Sequence, residues 1–195
     1  MAVEEQERDA AGATGNARLT GAVGAVVFVL LAIEGVTVLR VHQLISVHVF
    51  VGVLLIPLVL LKVGTTTYRA ARYYLGDAQY TRRGPPPVVL RLLGPFVVAL
   101  SLAVLGTGLA AIAMGRGSRW MLTAHRASFI AWFAVMTVHV LGHILETPAL
   151  AIADWRLRRE PATRGATWRR AALLATIALG VAVAIASLGW IRSWR

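Results

Sequence analysis

Five runs of about twenty apolar residues constrain this chain more than any other feature: Leu19 to Leu39, Val41 to Leu61, Leu92 to Met114, Trp120 to Leu145 and Ala171 to Ile191. At about 1.5 Å of rise per residue, each is long enough as a helix to cross the hydrocarbon layer of a bilayer. Backbone groups in lipid must bond within the protein, and no run alternates polar with apolar residues as a barrel strand does, so α-helices are predicted. The expected fold class is an all-α membrane protein, a four-helix transmembrane bundle with a fifth, peripheral transmembrane helix. The last run takes the peripheral place because it is rich in alanine and holds only Thr176 and Ser187 as internal polar residues. With 57% hydrophobic residues and short connections, there is room for one transmembrane domain, residues 18–195. Residues 1–17 are small, polar and charged, and are expected to form a disordered cytoplasmic tail.

A formal net charge of +11 could suit nucleic acid, but the arginines lie at the edges of the apolar runs and in the connections between them. Lipid headgroups are the expected partner, and no nucleic acid is. Fourteen Lys and Arg residues fall on the side shared by the N-terminus and the two longer connections, against six on the other side. Short cytoplasmic loops retain positive charge, so the N-terminus is expected in the cytoplasm and the C-terminus outside. The acidic start, with Glu4, Glu5, Glu7 and Asp9, does not resemble a secretory signal, so the first run is expected to be retained. In the longest connection, Tyr68, Arg69, Arg72, Tyr73 and Tyr74 suit the headgroup layer. A turn at Gly76-Asp77 follows, and Pro85, Pro86 and Pro87 predict a stiff, extended lead-in to the third run.

The chain has no cysteine, which excludes disulfides, thiolate-held iron–sulfur clusters and covalent c-type haem. All five histidines, His42, His48, His125, His139 and His143, fall in the second and fourth runs. Ionisable groups inside a span are costly and normally face a cavity, a partner or a cofactor, so these two helices are expected to frame one site. Both run inward from the same side. His48 lies seven residues after Val41 and His125 five after Trp120. The two imidazoles are therefore within roughly 3 Å of the same depth, a placement that suits axial ligation of one haem from opposite faces. His42, six residues before His48, points to a different face after about 600° of helical rotation.

His139 follows His125 by 14 residues, close to four whole turns, so the two share a face and a second stacked site becomes feasible. The same interval from His48 arrives at Lys62, the single lysine of the chain. Two readings stand for Lys62: a neutral amine ligating a second iron, or a boundary residue snorkelling to headgroups. His143 is either an alternative ligand or a hydrogen-bond donor to a quinone. Arg126, beside His125, and Arg119 are candidates to pair with haem propionates, with placement at the membrane boundary as the competing reading. Glu34 is either a proton-handling group beside a quinone or a neutral acid bonded to a neighbouring helix.

The stretch Ser46-Val47-His48-Val49-Phe50, the interval between His125 and His139, and the connection from Tyr68 to Pro87 together resemble the bacterial b-type cytochrome family. Its members are the di-haem membrane anchors of formate dehydrogenases and nickel–iron hydrogenases, with small stand-alone actinobacterial relatives. The resemblance covers about Leu19 to Leu145 and implies non-covalent haem b, carried on His48, His125 and His139; it leaves open whether the chain binds one haem, between His48 and His125, or a second at His139. It also implies a bacterial plasma membrane and an electron-transfer subunit rather than a complete oxidoreductase, exchanging electrons with quinone or a redox protein. In two-haem members another histidine comes from the first helix, where this chain has only Glu34. A proton-coupled transporter using Glu34, Lys62 and the histidines, and a cofactor-free membrane subunit, are the alternative functions.

Overall fold

In a computed structural model, residues 2–82, 84, 87–115, 118–155 and 165–190 are described, with backbone alone for 2–11. The described residues form seven helices: α1 (Ala2–Leu39), α2 (Val41–Tyr74), α3 (Ala78–Thr81), α4 (Val88–Met114), α5 (Arg119–His143), α6 (Thr147–Ile152) and α7 (Ala166–Ser187). Five of them are long and apolar enough to cross a membrane, so the chain is an all-α, multi-pass membrane protein with lipid-facing helices. Pro85 and Pro86 of the expected extended lead-in, and the last five residues, lie outside the described residues.

The helices outrun the apolar stretches, because hydropathy marks the edge of the hydrocarbon and not the end of a helix. Residues 12–17, expected in a disordered tail, belong to α1. Ala13 and Ala17 are buried, and Asn16 Nδ2 donates to the Thr65 carbonyl at 3.1 Å. Their side chains are too small to register as hydrophobic, yet small size is what allows close helix contact. At the other end of the same pair, α2 continues thirteen residues beyond Leu61, carrying Tyr68, Arg69, Arg72, Tyr73 and Tyr74 on helix rather than loop. The turn at Gly76-Asp77 follows, with Gly76 at φ 80° and the Asp77 carboxylate capping α3 by accepting from Gln79 N at 2.9 Å.

Helices α1, α2 and α7 form the packed unit, with Val23, Leu54, Leu58, Leu173 and Ala184 at its centre and the short α6 against α1. The α4–α5 pair joins that unit mainly through α2. Inside the pair, Trp132 Nε1 donates to Ser101 Oγ at 2.9 Å, satisfying a buried indole. Trp132 is the one buried residue of α5, whose extensive contacts are with α4 and not with α2. Helix α7 packs against α2 and α1 as part of this core and makes no extensive contact with the histidine-bearing α5. Leu173, Gly180, Ala184 and Ser187 form its buried stripe, spaced by seven, four and three residues as one helical face requires.

Gly180 allows the closest approach in this unit. A Cβ there would come within 2.7 Å of Leu54 Cδ1 and 2.9 Å of the Leu54 carbonyl oxygen. A backbone oxygen cannot rotate away as a side-chain end can. Gly180→Leu is expected to push α7 off α2 and to cost about 1–3 kcal/mol, typical of overpacking, read as a lowered melting temperature in detergent. An unchanged melting temperature would contradict this packing.

Candidate functional site

The first depth level brings four helices together. His48 on α2 and His125 on α5 face one another with ring centroids 6.3 Å apart and planes inclined at 73°. His48 Nδ1 lies 2.9 Å from Glu34 Oε1 and 3.0 Å from Thr37 Oγ1, both on α1. The Thr37 hydroxyl donates to the Glu34 carbonyl at 2.6 Å, so its lone pairs are turned to accept from the imidazole. Thr37 is fully buried, while His48 and Glu34 retain 20% and 14% side-chain exposure.

His125 is held in a parallel way from α4. Its Nδ1 lies 3.0 Å from the Val104 carbonyl and 3.2 Å from Thr107 Oγ1. A carbonyl only accepts, so this Nδ1 carries the proton, and in the neutral ring Nε2 carries the lone pair. Gly108 makes the approach feasible, since a Cβ there would come within 3.0 Å of His125 Cε1. Thr107 also meets Ser128 Oγ at 3.1 Å, linking α4 to α5 beside the ring. Neither Nε2 has a hydrogen-bond partner among the described residues. Each histidine is thus oriented through Nδ1 by a neighbouring helix, which is how ligating histidines are commonly set.

A second level, about four turns further along α2 and α5, gathers Lys62, His139 and His143. The His139 and His143 rings meet edge to face with centroids 4.9 Å apart, and Lys62 is close enough to both to interact electrostatically. The Lys62 ammonium donates to the Thr20 carbonyl on α1 at 2.8 Å, across Gly24, where a Cβ would block it at 2.7 Å. His139 Nδ1 is buried with no hydrogen-bond partner. The structure therefore gathers the residues that spacing placed at this depth, but it turns the lysine toward α1.

The remaining candidates are dispersed. Arg126 and Arg119 are exposed on α5, and His42 is exposed at the start of α2. His42 is separated from His48 by a kink at Leu44, so its different direction does not rest on ideal rotation alone. Sequence reasoning missed two pairings. The contact of Glu34 with His48 was open to the same depth count that paired the histidines, since Glu34 stands five residues before Leu39 and the turn between the helices is a single residue, Arg40. The second is an ion cluster at the arginine-rich end. Asp154 accepts from Arg169 Nε at 2.6 Å and Nη2 at 2.8 Å, and from Arg18 Nη1 at 3.2 Å, with both arginines buried and Asp154 half-buried. Asp154 lies outside the spans, and no local signal linked it to Arg18, 136 residues earlier.

Fold and site define a multi-pass helical membrane protein with two intramembrane groups of histidines at separate depths. No protein-family model, no curated protein and no solved structure matches the chain.

Proposed function

We propose that this is a membrane electron-transfer protein that binds haem b non-covalently between His48 and His125. The pairing of those two imidazoles carries the reading. A metal ligated by two imidazoles at about 2 Å on either side separates the ring centroids by about 6 Å, and the observed separation is 6.3 Å. The donor chemistry fits as well: both Nδ1 atoms are engaged by acceptors, and each Nε2 is left for a ligand. An iron porphyrin bound there would supply reversible one-electron transfer. The protein's own task is to hold the rings apart at a fixed depth, fix their tautomers and keep the surroundings apolar. Arg126, next to His125 and exposed, is available to a propionate.

His139, with an orphaned Nδ1, is the residue to which a second haem would attach, while Lys62 donating to Thr20 favours one haem over two. In this reading the arginine-rich end faces the cytoplasm of a bacterial cell, and electrons pass to or from quinone or a redox protein. The protein is then an electron-transfer subunit and not a complete oxidoreductase. A proton-coupled carrier is the second reading, favoured by the Glu34–His48 contact and by Lys62 lying beside His139. Colour separates them. The purified protein is expected to hold about one haem per chain and to show the reduced-state α-band of six-coordinate haem b. A colourless preparation with pH-dependent flux in vesicles would overturn the proposal in favour of the carrier.

A further inference from the structure

The two imidazoles are alike in depth and orientation but unlike in what holds them. His125 Nδ1 meets a neutral backbone carbonyl and a threonine hydroxyl, whereas His48 Nδ1 meets a carboxyl group at 2.9 Å. The arrangement on α1 is specific. Thr37 Oγ1 touches Glu34 Oε2 at 3.3 Å as well as His48 Nδ1 at 3.0 Å, so hydroxyl, carboxyl and imidazole form a closed triangle. Gly52, one turn beyond His48, leaves room beside it: even a Cβ there would stand 3.4 Å from Glu34 Oε1. Glu34 is the single ionisable residue in the first apolar run, and its partner is one of the two proposed ligands. Its burial is therefore matched by a contact that bears directly on the site.

We infer that Glu34 is a positioning residue that makes the axial ligands unequal, with its carboxylate drawing on the His48 Nδ1 proton and so strengthening His48 as an electron donor to the metal. This rests on haem being bound between His48 and His125. An acceptor behind a ligating imidazole raises its basicity, and a more basic ligand favours the oxidised, more positive metal. Glu34 thus lowers the reduction potential: one electron enters the iron on reduction, and the carboxylate makes that entry less favourable. His125, backed by a neutral carbonyl, contributes no comparable charge.

The test is a spectroelectrochemical titration of purified holoprotein, comparing wild type with Glu34→Gln, Glu34→Asp and Thr37→Val. Glu34→Gln keeps the shape and an acceptor oxygen but removes the charge. It is expected to retain haem and a six-coordinate spectrum while the reduced-to-oxidised ratio at fixed ambient potential rises at least tenfold, a shift of 59 mV for one electron. Glu34→Asp draws the carboxylate back by one methylene and should raise the ratio in the same direction by at least threefold. It supplies the answer if the glutamine variant does not accumulate. Thr37→Val leaves the carboxylate as the sole partner on α1, so its ratio should stay at or below wild type, whereas simple loosening of His48 would move both positions alike. Haem-replete Glu34 variants with wild-type ratios would overturn the role of Glu34 and leave haem binding intact. Wild-type protein without haem would overturn both.

Discussion

Replacing His48 or His125 with alanine is expected to reduce bound haem by more than tenfold and to abolish the six-coordinate reduced spectrum. Each residue supplies one of the two nitrogens flanking the 6.3 Å gap, and no other histidine is near enough to replace it: His42 is exposed beyond the Leu44 kink, and His139 lies four turns further along α5. The effect should fall on the cofactor more than on the fold. Neither His48 nor His125 belongs to the buried core cluster around Leu58 and Ala184. His48→Ala also leaves Glu34 and Thr37 with only each other, whereas His125→Ala leaves Val104, Thr107 and Ser128 with their helix partners. The His48 variant should therefore be the less stable of the two. His42→Ala is the matched control and should retain haem. The measurement is haem-to-protein ratio with gel filtration to confirm folded protein, and normal haem content in both variants would exclude the assignment.

The second large effect is expected at the opposite end. Asp154→Ala should destabilise the protein by about 1.5–3 kcal/mol, the usual worth of hydrogen bonds to a charged group. Arg18 and Arg169 are each buried to within a tenth of full coverage, and Asp154 ties them across α1 and α7. Deleting the carboxylate leaves both guanidinium groups without that acceptor in a low-dielectric setting. Asp154→Asn keeps the shape but not the charge and should lose part of the same stability.

The pH dependence has a definite sign. Burial by itself would raise the Asp154 carboxyl, but hydrogen bonds from Arg169 and Arg18, together with their charges, more than reverse this and hold it below the usual carboxylate range. A carboxyl with a lowered native pKa binds more protons unfolded than folded. Its contribution is therefore complete above the ordinary carboxylate value of about 3.9 and drains away as pH falls through the lower native value. Wild type should lose stability on acidification in that window, and Asp154→Ala should lose less. Parallel acid-unfolding curves for the two proteins would remove this role from Asp154.

Much of the fold was legible in the chain because a bilayer allows few solutions. Apolar length alone identified five spans, and their polarity identified helices. The ends were less legible. The stretch from Lys62 to Tyr74 reads as a polar loop by hydropathy, yet it continues α2, since tyrosine, arginine and alanine tolerate a helix that leaves the hydrocarbon. Residues 12–17 read as a tail because alanine and glycine carry little hydrophobic signal, although small size is what lets them pack.

The candidate site divides along the same line. Residue counting along two helices was enough to place His48 level with His125, and His139 level with Lys62, because rise per residue is constant in any helix. Rotation about each axis is different: it depends on what the neighbouring helices offer. Only the tertiary structure turned Lys62 toward the Thr20 carbonyl, set Glu34 against His48, and brought Arg18 to Asp154. Depth in the membrane is thus a local property that a sequence carries by itself. Partnership across helices is a balance among surfaces far apart in the chain, and it exists only once they are packed.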